Sequence, residues 1–372
     1  MKVLLLSDTY SEHTEKWALS LAENGIEVGL FSFNKASYDW YSHKNITVFF
    51  EPEQKINAEK TLTKIAYLKY VTVLKKIIKH FQPDILHAHY ATSYGLVGAL
   101  TNFHPFIISS WGTDVMKFPH KNFVAKSILS FNYRMADLLC ATSNTIAEFI
   151  GQVSNKPVSV IPFGIDSEKF RPQKVNSLFS DEEFVLGSIK PLESIYNVNI
   201  LIRAYSHLHE KYPQLRLLIV GEGTAEKSLR ELCDSLAIAS KVTFTGRIPF
   251  NEISRYYNML NVLVNISEYE SFGVSVIEAM ACGKPVIVSN VGGLKEIVCD
   301  NSVGLKVDVG SVEQTVEAIE KLVSDKTLYN EISKKSREYA VEHYNWDHNI
   351  NQMIFAYESL IMQHSLKNQQ KS

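Results

Sequence analysis

Two glutamates carry the most pointed chemical signal in the sequence. Glu270 and Glu278 stand in EYESFGVSVIEAMACGKPVIVSN with seven residues between them, one on either side of a small apolar turn. Carboxylates so placed can be solvated surface groups, a general acid and base, or two grips on a polyhydroxylated ligand. Ser271 and Gly273 suit a helix entry, and Gly283 followed by Pro285 ends the helix and opens a strand, which predicts a helix over 273–282. Its N-terminal amides and dipole favour a phosphate. Glu278 lies about five residues in, ~7.5 Å along the axis at ~1.5 Å per residue, about the separation of a pyrophosphate from its ribose. Carboxylates repel phosphates, so each glutamate is suited to hydroxyls on one side of a pyrophosphate, Glu270 to a sugar and Glu278 to a ribose. The alternative is that both face solvent, the usual fate of glutamate.

The elements that must position these residues are legible as alternation. Apolar runs of strand length, KVLLLS, IEVGLFSF, DILHAH, FIISSW and DLLCATS, are separated by helical patterns that include 14–24 and a long helix over 60–81. VSVIPFGIDSEKFRP breaks the pattern with Pro162, Gly164 and Pro172 and reads as a linker. The alternation restarts with FVLGSI, LRLLIV, KVTFTG, NVLVNIS, KPVIVS and GLKVD. The expected architecture is α/β: two tandem, doubly wound Rossmann-like domains facing a cleft, over 1–164 and 165–349, with a helix over 350–372 returning to the first. Ligands of such sheets bind outside the carboxyl ends of the strands, and the informative residues follow strands: Ser7 to His13, His87 to Tyr90, Trp111 to Asp114, Lys190, Gly221 to Gly223, and Gly246 to Ile248.

At 372 residues the chain exceeds what one core usually organises. Its 38 basic and 40 acidic residues nearly cancel, which argues against a nucleic-acid binder. Cys140, Cys233, Cys282 and Cys299 show no ligand or disulfide spacing and read as reduced, buried thiols of a cytoplasmic protein. No Asp-x-Asp motif follows a strand and no His/Asp/Glu cluster has metal spacing, so no metal and no other cofactor is expected. No stretch approaches the ~18–20 apolar residues of a membrane-spanning helix.

The stretch EYESFGVSVIEAMACGKPVIVSNVGGLKEIV resembles the signature of glycosyltransferase family 4, the retaining sugar transferases of the GT-B fold. VIPFGID, IVGEG, FTGRI and the closing YNWDHNINQMIFAYESL extend the resemblance over most of the chain. It implies that Glu270 contacts the transferred sugar and Glu278 the ribose, and that backbone amides of Phe272, Gly273 and Val274 meet the pyrophosphate, with Gly221, Arg247 and Ile248 around the donor. It also implies transfer from a nucleotide sugar, a UDP-sugar first among them, to a glycan or lipid-linked acceptor in cell-surface polysaccharide or glycolipid synthesis, by a front-side exchange in which the leaving phosphate assists deprotonation of the acceptor hydroxyl.

The sequence departs from the family pattern in three places. In LGSIKPLESIYNVNILIRA, Ser188 stands where an arginine is common, and Tyr196 and Asn197 stand where Lys-Gly is common. Lys190 is the remaining cation for the pyrophosphate, in a K-x-L-E-x-x-Y pattern similar to polysaccharide-building relatives. SSWGTDV resembles the strand-end His-Gly-x-Asp but puts Trp111 in the histidine position, and Trp111 and Asp114 are candidates for the acceptor side. The first loop lacks paired glycines and offers Glu12 and His13. His13, His87 and His89 are candidates to restore a polar group near the acceptor, and each could equally be a hydrogen-bonded structural histidine.

The helix expected over 60–81 carries six lysines on one side. It reads either as a core-packed helix with a solvated basic face or, because Ile65, Leu68 and Ile78 sit among the lysines, as a surface resting on anionic lipid, which would make the protein peripheral at the inner face of the cell membrane. Two other functions fit the same architecture: a GT-B epimerase acting on a nucleotide sugar, and a non-catalytic nucleotide-sugar-binding homologue.

Overall fold

The computed structural model describes residues 1–34, 42–50, 67 and 69–370. The chain divides into two compact units, one formed by Met1–Pro162 with His348–Ser372, the other by Phe163–Asp347.

In the first unit the order is β1 (Lys2–Leu6), α1 (Glu12–Glu23), β2 (Glu27–Ser32), β3 (Ile46–Phe50), α2 (Lys69–Phe81), β4 (Ile85–His89), α3 (Tyr94–Thr101), β5 (Phe106–Ser110), α4 (Thr113–Met116), α5 (Phe123–Met135), β6 (Leu138–Ala141), α6 (Asn144–Gly151) and β7 (Val158–Val160). The seven strands form one parallel sheet in the order β3-β2-β1-β4-β5-β6-β7. Val3 to Leu6 are fully shielded from solvent, as a parallel strand covered on both faces requires. Burying each such side chain contributes about 1.5–3 kcal/mol.

In the second unit the order is β8 (Phe184–Ile189), α7 (Val198–Leu208), β9 (Leu215–Val220), α8 (Glu226–Ser235), β10 (Val242–Phe244), α9 (Ile253–Met259), β11 (Val262–Asn265), α10 (Val274–Ala281), β12 (Val286–Ser289), α11 (Gly292–Ile297), β13 (Leu305–Val307), α12 (Val312–Ser324) and α13 (Lys326–His343). Six parallel strands run β10-β9-β8-β11-β12-β13. A last helix, α14 (Trp346–Gln369), belongs to the first unit from His348 onward, and its Tyr357 is fully buried there.

Both sheets are therefore α/β and doubly wound. The strand order reverses between β1 and β4 in the first and between β8 and β11 in the second. Such reversals open a crevice at the carboxyl ends of the strands.

Several expectations need correction. β3 lies in a stretch not read as a strand, and β7 occupies the VSV assigned to the linker. Both are sheet edges: Thr47 is exposed beside half-buried Val48, and all three residues of β7 are half-buried, so neither shows the continuous apolar run of a central strand. Cys140, Cys233 and Cys282 are buried free thiols, but Cys299 is exposed. The helix expected from residue 60 is described from Lys69; residues 60–66 and 68, with Ile65 and Leu68, lie outside the described residues. On α2, Tyr70, Leu74 and Phe81 are buried, Ile78 is half-buried, and Lys69, Lys75, Lys76 and Lys79 are exposed. Among the described residues no helix is long and apolar enough to cross a membrane.

Candidate functional site

The strand reversal in the second unit brings Lys190 and Glu270 together. Lys190 follows β8 directly, Glu270 lies in the loop after β11, and their side chains form an ion pair with only 11 % and 14 % exposure. The ammonium also lies 4.6 Å from the centre of the Tyr196 ring. Burial, then the Glu270 charge, raises the Tyr196 phenol above its ordinary range, so the ring stays neutral beneath the cation.

Glycines fix both loops at this point. A Cβ on Gly221, whose φ is +139°, would lie 1.9 Å from the Lys190 carbonyl oxygen, so the turn after β9 can close on the Lys190 loop only without a side chain. The Gly221 amide donates to the Gly246 carbonyl at 3.0 Å, tying in the GRI segment. Gly292 (φ +45°) approaches the Glu270 carbonyl equally closely, and the Gly293 amide donates to that oxygen at 3.1 Å. The VGG stretch thus sets the backbone that carries Glu270, a role the sequence motif alone does not reveal.

Gly273 caps α10 with φ +120°, and the amides of Val274 and Ser275 come too early in the helix to have an intrahelical acceptor. Phe272 is 3 % exposed, and its ring packs edge-on against Phe163 and Tyr344, which anchors the turn. Glu278 is buried, not solvent-facing, and the Tyr257 hydroxyl donates to its Oε2 at 2.7 Å. Burial and the adjacent carboxylate push the Tyr257 phenol well up. Tyr257 stands 21 positions upstream on α9, with no local signal linking it to Glu278.

The remaining donor-side candidates are spread more widely. The Arg247 guanidinium is 71 % exposed and 3.9 Å from Glu222, while Ile248 is half-buried. Ser188, where the family resemblance leads one to expect an arginine, is buried within β8. Asn197 adopts the left-handed conformation (φ 51°, ψ 33°) at the entrance to α7. Asparagine tolerates that region better than other side chains except glycine, which accounts for its fit at this turn.

The first unit has its own site at the β1–β4 reversal. A pocket of about 370 Å³ opens there, and its described lining comes from the segments that follow β1 (Ser7, Asp8, Ser11), β2 (Phe33, Asn34), β4 (Tyr90, Ser93, Tyr94) and β5 (Trp111), with His89 at the end of β4 and Tyr67. His87 and His89 point to one face of β4. His87 is consumed by structure: Nδ1 lies 2.7 Å from the Tyr357 hydroxyl and Nε2 2.8 Å from Ser109 Oγ, and burial lowers its pKa to about 3. His89 Nδ1 meets Ser7 Oγ at 3.1 Å, its ring lies 4.6 Å from Trp111, and burial holds it well below the ordinary histidine pKa. His13 packs edge-on against Trp111 at 5.8 Å; burial, then the Lys16 charge, lowers it to about 4. Asp114 is fully buried, is not among the described lining residues, and accepts backbone amides from Ala91 (2.8 Å), Gly112 (2.8 Å) and Trp111 (3.3 Å), clamping the loops after β4 and β5 together. Its burial raises the carboxyl pKa against those three bonds.

Among the described residues no group of three or more His, Cys, Asp or Glu side chains is placed to hold a metal ion.

Two family models match the chain, one for Glycosyl transferases group 1 over residues 169–339 and one for Glycosyl transferase 4-like over residues 2–143. The N-acetyl-alpha-D-glucosaminyl L-malate synthase of Bacillus anthracis is 24% identical over 92% of this chain and 91% of its own. Among solved structures, sucrose-phosphate synthase from Thermosynechococcus elongatus superposes with a TM-score of 0.83 at 21% identity, covering 98% of this chain and 100% of that one. HepE from Anabaena, determined in complex with UDP and glucose, gives 0.76 at 20% identity over 97% and 100%. With one model on each α/β unit and full-length counterparts of the same two-sheet fold, the chain belongs to glycosyltransferase family 4 and is built on the GT-B fold.

Proposed function

We propose that this glycosyltransferase moves a hexosyl group from a UDP-sugar to a hydroxyl of a glycan or lipid-linked acceptor, with retention of configuration and without a metal ion. The observation that carries the reading is the meeting of Lys190, Glu270 and the α10 N-terminus at the strand reversal of the second unit. A cation and a helix start suit a pyrophosphate, and a shielded carboxylate beside them suits sugar hydroxyls. Glu278, one helix turn further in and held by Tyr257, is suited to the ribose. UDP and glucose in the HepE complex support the choice of donor. The KPLESIY segment, similar to polysaccharide-building relatives, supports a cell-surface glycan as product.

In this reading Lys190 leaves Glu270 to meet the β-phosphate as the glycosidic bond breaks. Its charge and the α10 amides then stabilise the leaving group. Glu270 orients the donor sugar and stabilises positive charge developing at the anomeric carbon, while the leaving phosphate oxygen takes the proton of the attacking hydroxyl.

The test is a nucleotide-sugar panel incubated with the enzyme and glycan acceptors, with products followed by NMR. A new glycosidic linkage with the donor's anomeric configuration, formed equally well after chelation of divalent ions, is expected. Inversion, or activity abolished by chelation and restored by a divalent ion, would overturn the corresponding part.

A further inference from the structure

The pocket of the first unit is built from rings and carries little charge. Phe33 stacks on Tyr94 with centroids 4.3 Å apart and planes at 18°, and meets Tyr67 at 4.6 Å. Its volume of about 370 Å³ is within the range that holds a small ligand. Among the described lining residues Asp8 is the one acid, and there is no lysine or arginine; His89 is uncharged for the reason given above.

Asp8 is half committed. Its Oδ1 accepts from Asn34 Nδ2 at 3.0 Å and from the Tyr10 amide at 3.1 Å, whereas Oδ2 has no hydrogen bond to any described residue. The carboxylate is felt by the rings around it: after burial itself, its charge helps raise the Tyr94 phenol, and it contributes to raising Tyr67 to about 12. Both phenols therefore stay protonated and neutral.

An anionic ligand group would meet the Asp8 charge with no lysine or arginine among the described lining residues to offset it, a like-charge contact that acts against binding. A sugar ring presents the opposite properties, with apolar C–H faces for aromatic side chains and hydroxyls that donate to a carboxylate oxygen. Resting on the transferase reading above, we infer that this pocket takes the acceptor as an uncharged, polyhydroxylated ring, read by Asp8 Oδ2 against the Phe33, Tyr94 and Tyr67 rings, and that Asp8 discriminates against phosphorylated or carboxylated acceptors.

The test uses the full chain and ligand-detected NMR with methyl hexopyranosides and methyl N-acetylhexosaminides, their 6-phosphates, a methyl uronate and L-malate. The indole resonance of Trp111, assigned with Trp111→Phe, reports whether binding occurs in this pocket. At least one neutral glycoside should bind and shift that resonance, and its charged counterparts should bind at least tenfold more weakly. Asp8→Asn should narrow the gap, and Asp8→Lys should favour the phosphates, in proteins whose thermal melts stay cooperative. Phosphates or carboxylates binding as well as neutral rings would overturn the inference. So would a preference unchanged in both Asp8 variants, or neutral rings that never bind while UDP does. A parallel UDP titration judges the transferase reading separately: failure of UDP and every UDP-sugar to bind would remove that reading, whatever the glycoside panel shows.

Discussion

Lys190 and Glu270, eighty residues apart in sequence, hold each other in an ion pair across the strand reversal of the second sheet. With side-chain exposures of 11 % and 14 %, neither charge is free to be solvated by bulk water in place of its partner. Removing one partner therefore leaves a shielded charge uncompensated. Lys190→Ala should lower stability by about 1–3 kcal/mol and weaken UDP-sugar binding, whereas Glu270→Gln should cut kcat by about 10²–10³ with little change in UDP affinity. Calorimetric titration alongside steady-state rates separates these effects. Equal losses of UDP affinity in both variants would contradict the division of labour.

The Tyr257–Glu278 contact leads to a second prediction. If Glu278 reads the ribose, Glu278→Gln should weaken UDP about tenfold, or ~1.4 kcal/mol, and leave inorganic pyrophosphate unaffected. Tyr257→Phe, which removes the hydroxyl donating at 2.7 Å, should weaken UDP in the same direction by a smaller factor. Competition between UDP and pyrophosphate checks both.

Backbone geometry gives a third. Gly292→Ala forces a Cβ to within 1.9 Å of the Glu270 carbonyl oxygen, so the loop bearing Glu270 must shift. It should lower the melting temperature and abolish transfer together. Asn197, already left-handed, should accept glycine with a stability change under about 0.5 kcal/mol, while Asn197→Val should cost about 1–3 kcal/mol. Chemical denaturation measures the three stabilities, and a transfer assay checks the activity of Gly292→Ala.

Acid should destabilise the first unit through His87 and His89. Burial lowers the folded pKa of His87 from 6.5 to about 3, and that of His89 well below 6.5, so the unfolded chain binds protons first as pH falls. Stability is fully present above about pH 6.5 and is lost as pH drops toward the folded values, by up to about 1.4 kcal/mol per pH unit for each histidine. Melting curves from pH 7 to pH 4 should show the fall, with a shallower slope in His87→Gln. A slope unchanged in that variant would remove His87 as a cause.

Much of this arrangement is legible in the amino-acid sequence. The central strands announce themselves because parallel strands covered on both faces need continuous apolar runs such as KVLLL, and the helix after Gly273 follows from its flanking glycines. The edges do not: β3 and β7 are half-exposed and mix polar with apolar residues. Glu270, Glu278 and Lys190 stand out by residue type and by their places after strands. Their partners are tertiary facts. Tyr257 reaches Glu278 from another helix, Gly292 touches Glu270 only after β12 intervenes, and Asp8 gains meaning only when the strand order places it beside Phe33 and Tyr94. His87 and Asp114 show the converse, since both look chemical in sequence and serve as buried braces.

The most direct measurement is a calorimetric titration of the full chain and of Lys190→Ala, Glu278→Gln and Asp8→Lys with a set of UDP-sugars. The account predicts saturable binding of at least one UDP-sugar by the parent protein, about tenfold weaker in Glu278→Gln and Lys190→Ala and unchanged in Asp8→Lys. Binding that survives intact in both second-unit variants, or no binding of any UDP-sugar by the parent, would contradict it.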